Sequence, residues 1–113
     1  MDMVETIKAG ESETTEFKTS LAEWRGVVET ISAFSNKNGG TIFIGVGDNC
    51  EIIGTDIGKN TIEVLANQIK QNADPVVYPL IHVEDMNGKQ VIVVDVAEHE
   101  QKPVFAFGRG VMW

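Results

Sequence analysis

The spacing of apolar residues along the chain predicts a first helix that begins near position 21. Ser20 and Glu23 stand three residues apart at its start, the spacing of a capping box in which each side chain binds a free backbone N–H. Arg25, Glu29 and Ser32 fall between the apolar positions, so we expect them to face outward. The apolar stripe itself, at spacings typical of one buried helix face, consists of Leu21, Trp24, Val27, Val28, Ile31 and Phe34.

A second helix is predicted from Asn60 to about Gln71, where Asn60 and Glu63 repeat the capping spacing. The Asp74-Pro75 pair ends it, because proline disfavours the helical conformation of the residue before it. The side chains predicted to face the core are Ile62, Leu65, Ala66 and Ile69.

Strand-like segments surround the two helices. Residues 41–46 are almost all apolar or β-branched, which predicts a central strand covered on both faces. Asn87-Gly88 separates two alternating segments and is a strong hairpin signal. Residues 1–10 are expected to be irregular. The other predicted strands are residues 14–18, 51–54, 77–85, 90–97 and 103–113.

This order of elements predicts an α+β fold in two layers, with a mixed or antiparallel sheet and two helices packed against it. The length and the 42% hydrophobic content suit one core, so residues 1–113 are expected to form one domain. No segment approaches the roughly 20 apolar residues that cross a bilayer, and the start lacks the pattern of a secretory signal. We therefore expect a cytoplasmic protein without a membrane partner. Cys50 is the single cysteine, which excludes an internal disulfide.

The formal net charge of −8 works against nucleic-acid binding, since proteins that neutralise phosphates normally present a basic surface. The nine Lys and Arg residues are also spread along the sequence. A nucleic-acid interface therefore requires folding to gather some of these cations in one place.

The glycine-rich segments do not match a nucleotide-binding motif. Asn38-Gly39-Gly40 closes a helix and enters a strand, whereas the dinucleotide fingerprint needs a glycine that opens a helix after a strand. No phosphate loop ending in Gly-Lys-Ser or Gly-Lys-Thr is present. The two histidines, His82 and His99, lack a Ser or Cys partner at a recognisable spacing, so nucleophilic catalysis is not predicted.

Four carboxylates near the start of the chain form the acidic cluster that could bind a hard cation such as Mg²⁺: Glu11, Glu13, Glu16 and Asp48. A spacing of five places Glu11 and Glu16 on opposite faces of one straight strand. They converge only if Glu11 lies in a loop that curls back. The competing interpretation of this cluster is a solvated acidic surface.

Several segments together resemble one known family, in order and at suitable intervals. The similarity extends over about residues 9–113. The segments are Glu11-Ser12, Thr15-Glu16-Phe17-Lys18, the run from Ile31 to Val46, Glu51-Ile52-Ile53-Gly54 and Lys102-Pro103-Val104-Phe105. They resemble the Schlafen-type, Alba-like family of DNA-binding domains, found at the front of bacterial and archaeal transcriptional regulators.

The resemblance implies a nucleic-acid-binding domain of a transcriptional regulator, with DNA or RNA as the partner. It also implies one module of a longer protein, with a winged-helix or ATPase-like remainder. Related Schlafen enzymes use two tandem copies of the domain, so a homodimer formed through the last strand would restore a paired arrangement. The residues expected to contact nucleic acid are Lys18, Arg25, Asn36, Lys37, Asn38, Gly39, Gly40 and Arg109.

Two alternatives stay open. In animal Schlafen proteins a related domain cuts tRNA and rRNA with three carboxylates, which fall here on Glu11, Glu16 and Asp48; Gly47 occupies a position that is often acidic in relatives. That nuclease would use Mg²⁺ or Mn²⁺, and no other cofactor is expected. The second alternative, a protein-interaction or ligand-sensing module, is favoured by the net charge of −8.

Overall fold

A computed structural model describes residues 2–110, with the backbone alone at positions 109 and 110. It confirms the predicted α+β class. The helices are α1 (Met3–Ala9), α2 (Trp24–Ser35) and α3 (Thr61–Asn72). The strands are β1 (Thr15–Lys18), β2 (Gly40–Ile44), β3 (Ala73–Asp74), β4 (Leu80–Met86), β5 (Lys89–Val96), β6 (Phe105–Ala106) and β7 (Arg109–Gly110).

The main sheet is mixed and has four strands in the order β1-β2-β5-β4. β1 runs parallel to β2, and the other two pairings are antiparallel. Asn87 and Gly88 join β4 to β5 with φ of 56° and 80°, the left-handed pair that a tight hairpin turn requires. A small second sheet, β3-β6-β7, lies beside the end of α3. The predicted hairpin is therefore confirmed, and the predicted last strand is a short hairpin of its own.

Both faces of the central strands are covered. α2 and α3 pack on one face, where Ile31 and Leu65 join Ile92 in one apolar core. On the opposite face Ile7 of α1 lies in a second cluster with Phe17 and Phe43, whose ring centroids are 6.2 Å apart. The prediction of a central strand at residues 41–46, buried on both sides, is confirmed by β2.

One sequence prediction is wrong in this part of the fold, and another is confirmed only in a shortened form. Residues 1–10 were expected to be irregular, but Met3–Ala9 forms a helix capped by Asp2, whose carboxylate accepts the Val4 N–H at 3.1 Å. Residues 51–54 were expected to be the hairpin partner of the preceding strand. They do pair with it, but only through one antiparallel bridge, between Val46 and Ile52, flanked by backbone hydrogen bonds from Gly47 to Glu51 and from Ile53 to Gly45. The helix at Met3–Ala9 is too short to carry a periodic signal, and the contacts of Ile7 with distant residues fix it.

The start of α2 differs in detail from a capping box. The Ser20 hydroxyl accepts the Ala22 N–H at 3.2 Å, while the Glu23 carboxylate accepts the Thr19 N–H at 2.7 Å. A single 3-10 turn over Leu21–Glu23 therefore precedes α2. At α3, the Asn60 side chain makes no capping hydrogen bond.

Among the outward positions predicted for α2, Arg25 is exposed and Glu29 is half-buried. The expectation is wrong for Ser32, which is fully buried and donates its hydroxyl to the Val104 carbonyl at 2.6 Å. The chain after β5 covers this side of the helix, which the helical pattern does not reveal. No helix within residues 2–110 is long and apolar enough to cross a membrane.

Candidate nucleic-acid interface

The bend between α2 and β2 contains four of the predicted nucleic-acid contacts, and its backbone is largely committed to the fold. Gly39 has φ of 80° and donates its N–H to the Phe34 carbonyl at 2.9 Å, which closes the helix. A Cβ at Gly39 would lie 2.5 Å from the Val96 carbonyl oxygen. A Cβ at Gly40 would lie 2.6 Å from the Phe34 ring. Close packing therefore requires both glycines, and the Gly39 amide already has an internal acceptor.

The Asn36 side chain binds the chain segment that follows β5. Its Oδ1 accepts the Val104 N–H at 2.6 Å, and its Nδ2 donates to the Val104 carbonyl at 3.0 Å. Ser32 donates to the same carbonyl, and Val104 is fully buried. Asn36 therefore attaches the end of the described chain to α2, whereas Asn38 is exposed in the turn.

Lys37 is the predicted cation that the bend leaves exposed. It borders a concavity of about 150 Å³ whose other lining residues include Ser12, Glu13 and Glu16. Within residues 2–110 its ammonium has no carboxylate partner inside 4.0 Å. Lys37 can therefore reach a phosphate, although acidic side chains stand nearby.

Lys18 lies in a different environment. Its side chain is 15% exposed, and its Nζ is 3.4 Å from the Glu16 carboxylate. A Cβ at Gly26 of α2 would lie 2.9 Å from the same Nζ, so the absence of a side chain there makes room for the lysine. Lys18 is packed between β1 and α2 and already neutralises an acid.

Glu11 and Glu16 do converge, because Glu11 lies in a loop that curls back, the condition set by their spacing. The chain curls back between Ser12 and Thr15, where the Ser12 N–H donates to the Thr15 carbonyl at 3.0 Å. This turn lets the Glu11 carboxylate accept the Phe17 N–H at 2.9 Å. Burial, followed by the negative charge of Glu11, raises the pKa of the Glu16 carboxyl above its ordinary range, against the opposing effect of Lys18.

The third carboxylate of the proposed nuclease set does not join this pair. Asp48 is exposed in the turn after β2. Within residues 2–110, no three Asp, Glu, His or Cys side chains lie close enough together to hold a metal ion. One of the two convergent carboxylates is, in addition, paired with Lys18. These residues therefore do not fit a Mg²⁺ or Mn²⁺ centre.

We predict that Glu11→Gln lowers the pKa of the Glu16 carboxyl. The amide oxygen of glutamine can still accept the Phe17 N–H, so the main change is the loss of a negative charge. Because the Glu16 pKa is raised on folding, its contribution to stability is full below the unfolded pKa and is lost as pH rises through the folded value. Glu11→Gln should therefore reduce the amount of stability that is lost as the pH rises.

Side-chain carboxyl titration by NMR measures this change. Glu23 is the internal control, because hydrogen bonds from Thr19 lower its pKa and the substitution does not touch them. An unchanged Glu16 midpoint in Glu11→Gln would contradict the arrangement described here.

Arg25 stands in an aromatic cluster at the other end of α2, formed by Trp24, Arg25 and Phe107. The guanidinium carbon of Arg25 is 4.9 Å from the Trp24 ring centroid and 5.5 Å from that of Phe107. The two rings meet edge to face at 6.1 Å. Sequence reasoning selected Arg25 and placed Trp24 on the buried face of the helix, where it is indeed partly buried against the core. It overlooked Phe107, since nothing in the local pattern shows that residue 107 approaches residue 25.

The predicted cations therefore occupy two places. Arg25 is in the first turn of α2 and Lys37 follows its end, a distance of about 18 Å along the axis at 1.5 Å per residue. Lys18 is partly buried beside Glu16, near the start of α2 at Gly26. The side chain of Arg109 lies outside the part of the chain that the structure describes. The assignment of the eight residues to nucleic-acid contacts stays a prediction.

Comparison with known proteins gives a family and a fold. The sequence model of the family described as Schlafen, AlbA_2 matches residues 11–113. The DIP2311 protein of Corynebacterium diphtheriae superposes with a TM-score of 0.71 at 20% identity, over 92% of this chain and 23% of that protein. The chain thus spans less than a quarter of that relative's length. The N-terminal domain of a DNA helicase RecG-related protein from Nitrosomonas europaea gives a TM-score of 0.70 at 21% identity, over 93% and 78%. The comparison with curated proteins found no match.

Proposed function

Because the chain belongs to the Schlafen, AlbA_2 family, we propose that it is a nucleic-acid-binding domain. The family match over residues 11–113 is the observation that carries this proposal. A solved structure of the same fold comes from a protein described as related to a DNA helicase, which is consistent with such a role. We further propose that the domain is one module of a longer cytoplasmic transcriptional regulator, in keeping with the small share of the DIP2311 protein that it covers.

In this proposal the phosphate contacts come from exposed cations at the two ends of α2. Arg25 and Lys37 are both exposed and are free of carboxylate partners within the described residues. Asn38 can assist Lys37 from the same turn, whereas Asn36 and Gly39 support the interface by holding the bend in shape. Lys18 packs against the start of α2, at Gly26. Few phosphates are neutralised, so the affinity should be modest and should depend on salt.

The alternative functions have less support from the geometry. A three-carboxylate nuclease needs Asp48 beside Glu11 and Glu16, and the described side chains do not form that group. A protein-interaction module remains favoured by the net charge of −8. Nucleic-acid binding that weakens with added salt would favour the proposed function over a protein-interaction module, because only the proposed function requires phosphate neutralisation.

Fluorescence anisotropy with labelled single-stranded and duplex oligonucleotides tests the proposal. We expect binding at low salt, with a logarithmic salt slope of about −1.4 for single strands if Arg25 and Lys37 each neutralise one phosphate. Lys37→Ala should make that slope shallower by about 0.7. Lys59→Ala is the matched control, because Lys59 is also exposed but lies outside the predicted contacts. Absence of binding at the lowest salt would contradict the proposed function.

We propose a homodimer that forms through an edge of the main sheet, and not through the last strand, which belongs to the small second sheet. β4 is an edge strand. Its first residue, Leu80, is 66% exposed, and Tyr78, just before the strand, is 77% exposed. A second copy pairing with β4 would cover these side chains and the free strand edge. Light scattering on the same samples gives the mass, which should be twice that of the chain.

A further inference from the structure

We propose that Arg25, packed against Trp24 and Phe107, is a stacking site for an unpaired base of single-stranded nucleic acid. This inference rests on the proposed function and gives it a substrate class. The cluster differs from an ordinary surface arginine because its guanidinium contacts two rings, at 4.9 Å and 5.5 Å.

The first argument is that Arg25 has no acidic partner. Although the chain carries 17 acidic and nine basic residues, only two of the described lysines have a carboxylate within 4.0 Å: Lys18 pairs with Glu16, and Lys102 with Glu98. Within residues 2–110, the guanidinium of Arg25 has no carboxylate inside 4.0 Å and instead lies against aromatic rings. Its charge is therefore available to a ligand.

The second argument is the conformation of Phe107. It has φ of +54° in the turn between β6 and β7, next to Gly108 at +75°. Asn, Asp and Gly are the residues usually found at such a position, and a bulky side chain there is uncommon. The Phe107 N–H donates to the Asn72 carbonyl at 2.9 Å, which fixes the turn against the end of α3. The fold thus holds an aromatic ring beside Arg25 in a conformation that aromatic residues rarely adopt.

The third argument concerns the ligand. A planar guanidinium stacks on nucleic-acid bases and attracts phosphate, and neighbouring aromatic rings add stacking surface. Contact with Trp24 and Phe107 fixes the arginine in advance, so less side-chain freedom is lost on binding. In a duplex the faces of the bases are covered by their neighbours, whereas a single strand presents them. The site therefore fits an unpaired base next to a phosphate.

Arg25→Lys separates stacking from charge. Lysine keeps the positive charge but lacks the planar group, so we expect single-strand affinity to fall about tenfold while the salt slope stays the same. Duplex affinity should change by less than about twofold, since no base face is contacted there. Arg25→Ala should lose the affinity and, in addition, make the slope shallower by about 0.7.

A second readout reports on the cluster directly. Trp24 and Trp113 are the two tryptophans of the chain, so Trp113→Phe leaves Trp24 as the sole indole emitter. In that background, oligo(dT) should quench Trp24 emission on binding, and Lys37→Ala should weaken binding without removing the quenching at saturation. Thermal melting followed by circular dichroism verifies that each variant is folded.

The outcomes distinguish the two proposals. If the wild-type chain binds no oligonucleotide at low salt, the proposed function fails and the stacking site fails with it. If it binds, but Arg25→Lys retains full single-strand affinity and Trp24 emission does not change, the stacking site alone is overturned. Equal losses for single strands and duplex in Arg25→Lys would also overturn it, because they would show a contact that does not require an open base.

Discussion

Gly39→Ala is expected to destabilise the fold by about 3 kcal/mol. Two costs combine at this position. The backbone φ of 80° is strained for any residue with a Cβ, which costs of the order of 1 kcal/mol. The new methyl group would also lie 2.5 Å from the Val96 carbonyl oxygen and 3.2 Å from the Glu98 nitrogen, and neither backbone atom can move aside without shifting the chain. Urea denaturation followed by circular dichroism measures the loss.

Gly88→Ala is a matched control for this prediction. Gly88 has the same φ of 80°, and a Cβ there would meet nothing within 4 Å. Its substitution should therefore cost only the conformational part, about 1 kcal/mol. The difference between the two variants isolates the contact with β5. Equal losses of stability in the two variants would contradict the close approach of Gly39 to β5. If Gly39→Ala instead weakened oligonucleotide binding at unchanged stability, Gly39 would be a direct nucleic-acid contact.

The sequence was sufficient where a pattern extends over many residues. The apolar positions Trp24, Val27, Val28, Ile31 and Phe34 specify the helix α2, and the nearly continuous apolar run of β2 specifies a central strand; both are present. Asn87-Gly88 identified its hairpin because the turn itself demands those residues. The helix α1 was missed because it has seven residues, and Ile7 is fixed by packing against Phe17 and Phe43 rather than by a local signal.

The candidate site was likewise predicted only in part. The spacing of Glu11 and Glu16 shows that they converge only if Glu11 lies in a loop that curls back. Only the structure shows that the loop does so and that Glu11 accepts the Phe17 N–H. The contact between Arg25 and Phe107 joins residues 82 positions apart through the docking of the chain end on α2. The prediction that Ser32 faces outward was wrong for the same reason, because the docked chain segment covers it. Long-range contacts of this kind leave no trace in helical or strand periodicity.

The docking of that chain end leads to the second prediction with a large effect. Asn36→Ala should destabilise the fold by about 2 kcal/mol. The substitution removes hydrogen bonds of 2.6 Å and 3.0 Å to the backbone of Val104, which is fully buried and loses the acceptor for its N–H. The Val104 carbonyl keeps the Ser32 hydroxyl, which limits the loss. Asn38→Ala is the control, because Asn38 is exposed in the same turn and should change stability by less than about 0.5 kcal/mol.

Asn36→Asp tests whether both halves of the amide matter. The carboxylate can still accept the Val104 N–H, but its second oxygen would face the Val104 carbonyl with no hydrogen to donate. At neutral pH this variant should therefore be no more stable than Asn36→Ala. Protonation restores a donor, so the folded state favours the neutral acid, and stability should recover as the pH falls through the raised folded pKa and be complete below the unfolded pKa. Urea denaturation at pH 4 and pH 7 measures the difference, with Asn38→Asp as the exposed counterpart. A carboxylate that is tolerated equally well at both pH values would mean that the Nδ2 bond to Val104 contributes nothing, and that the tail carrying Phe107 is held to α2 by other contacts.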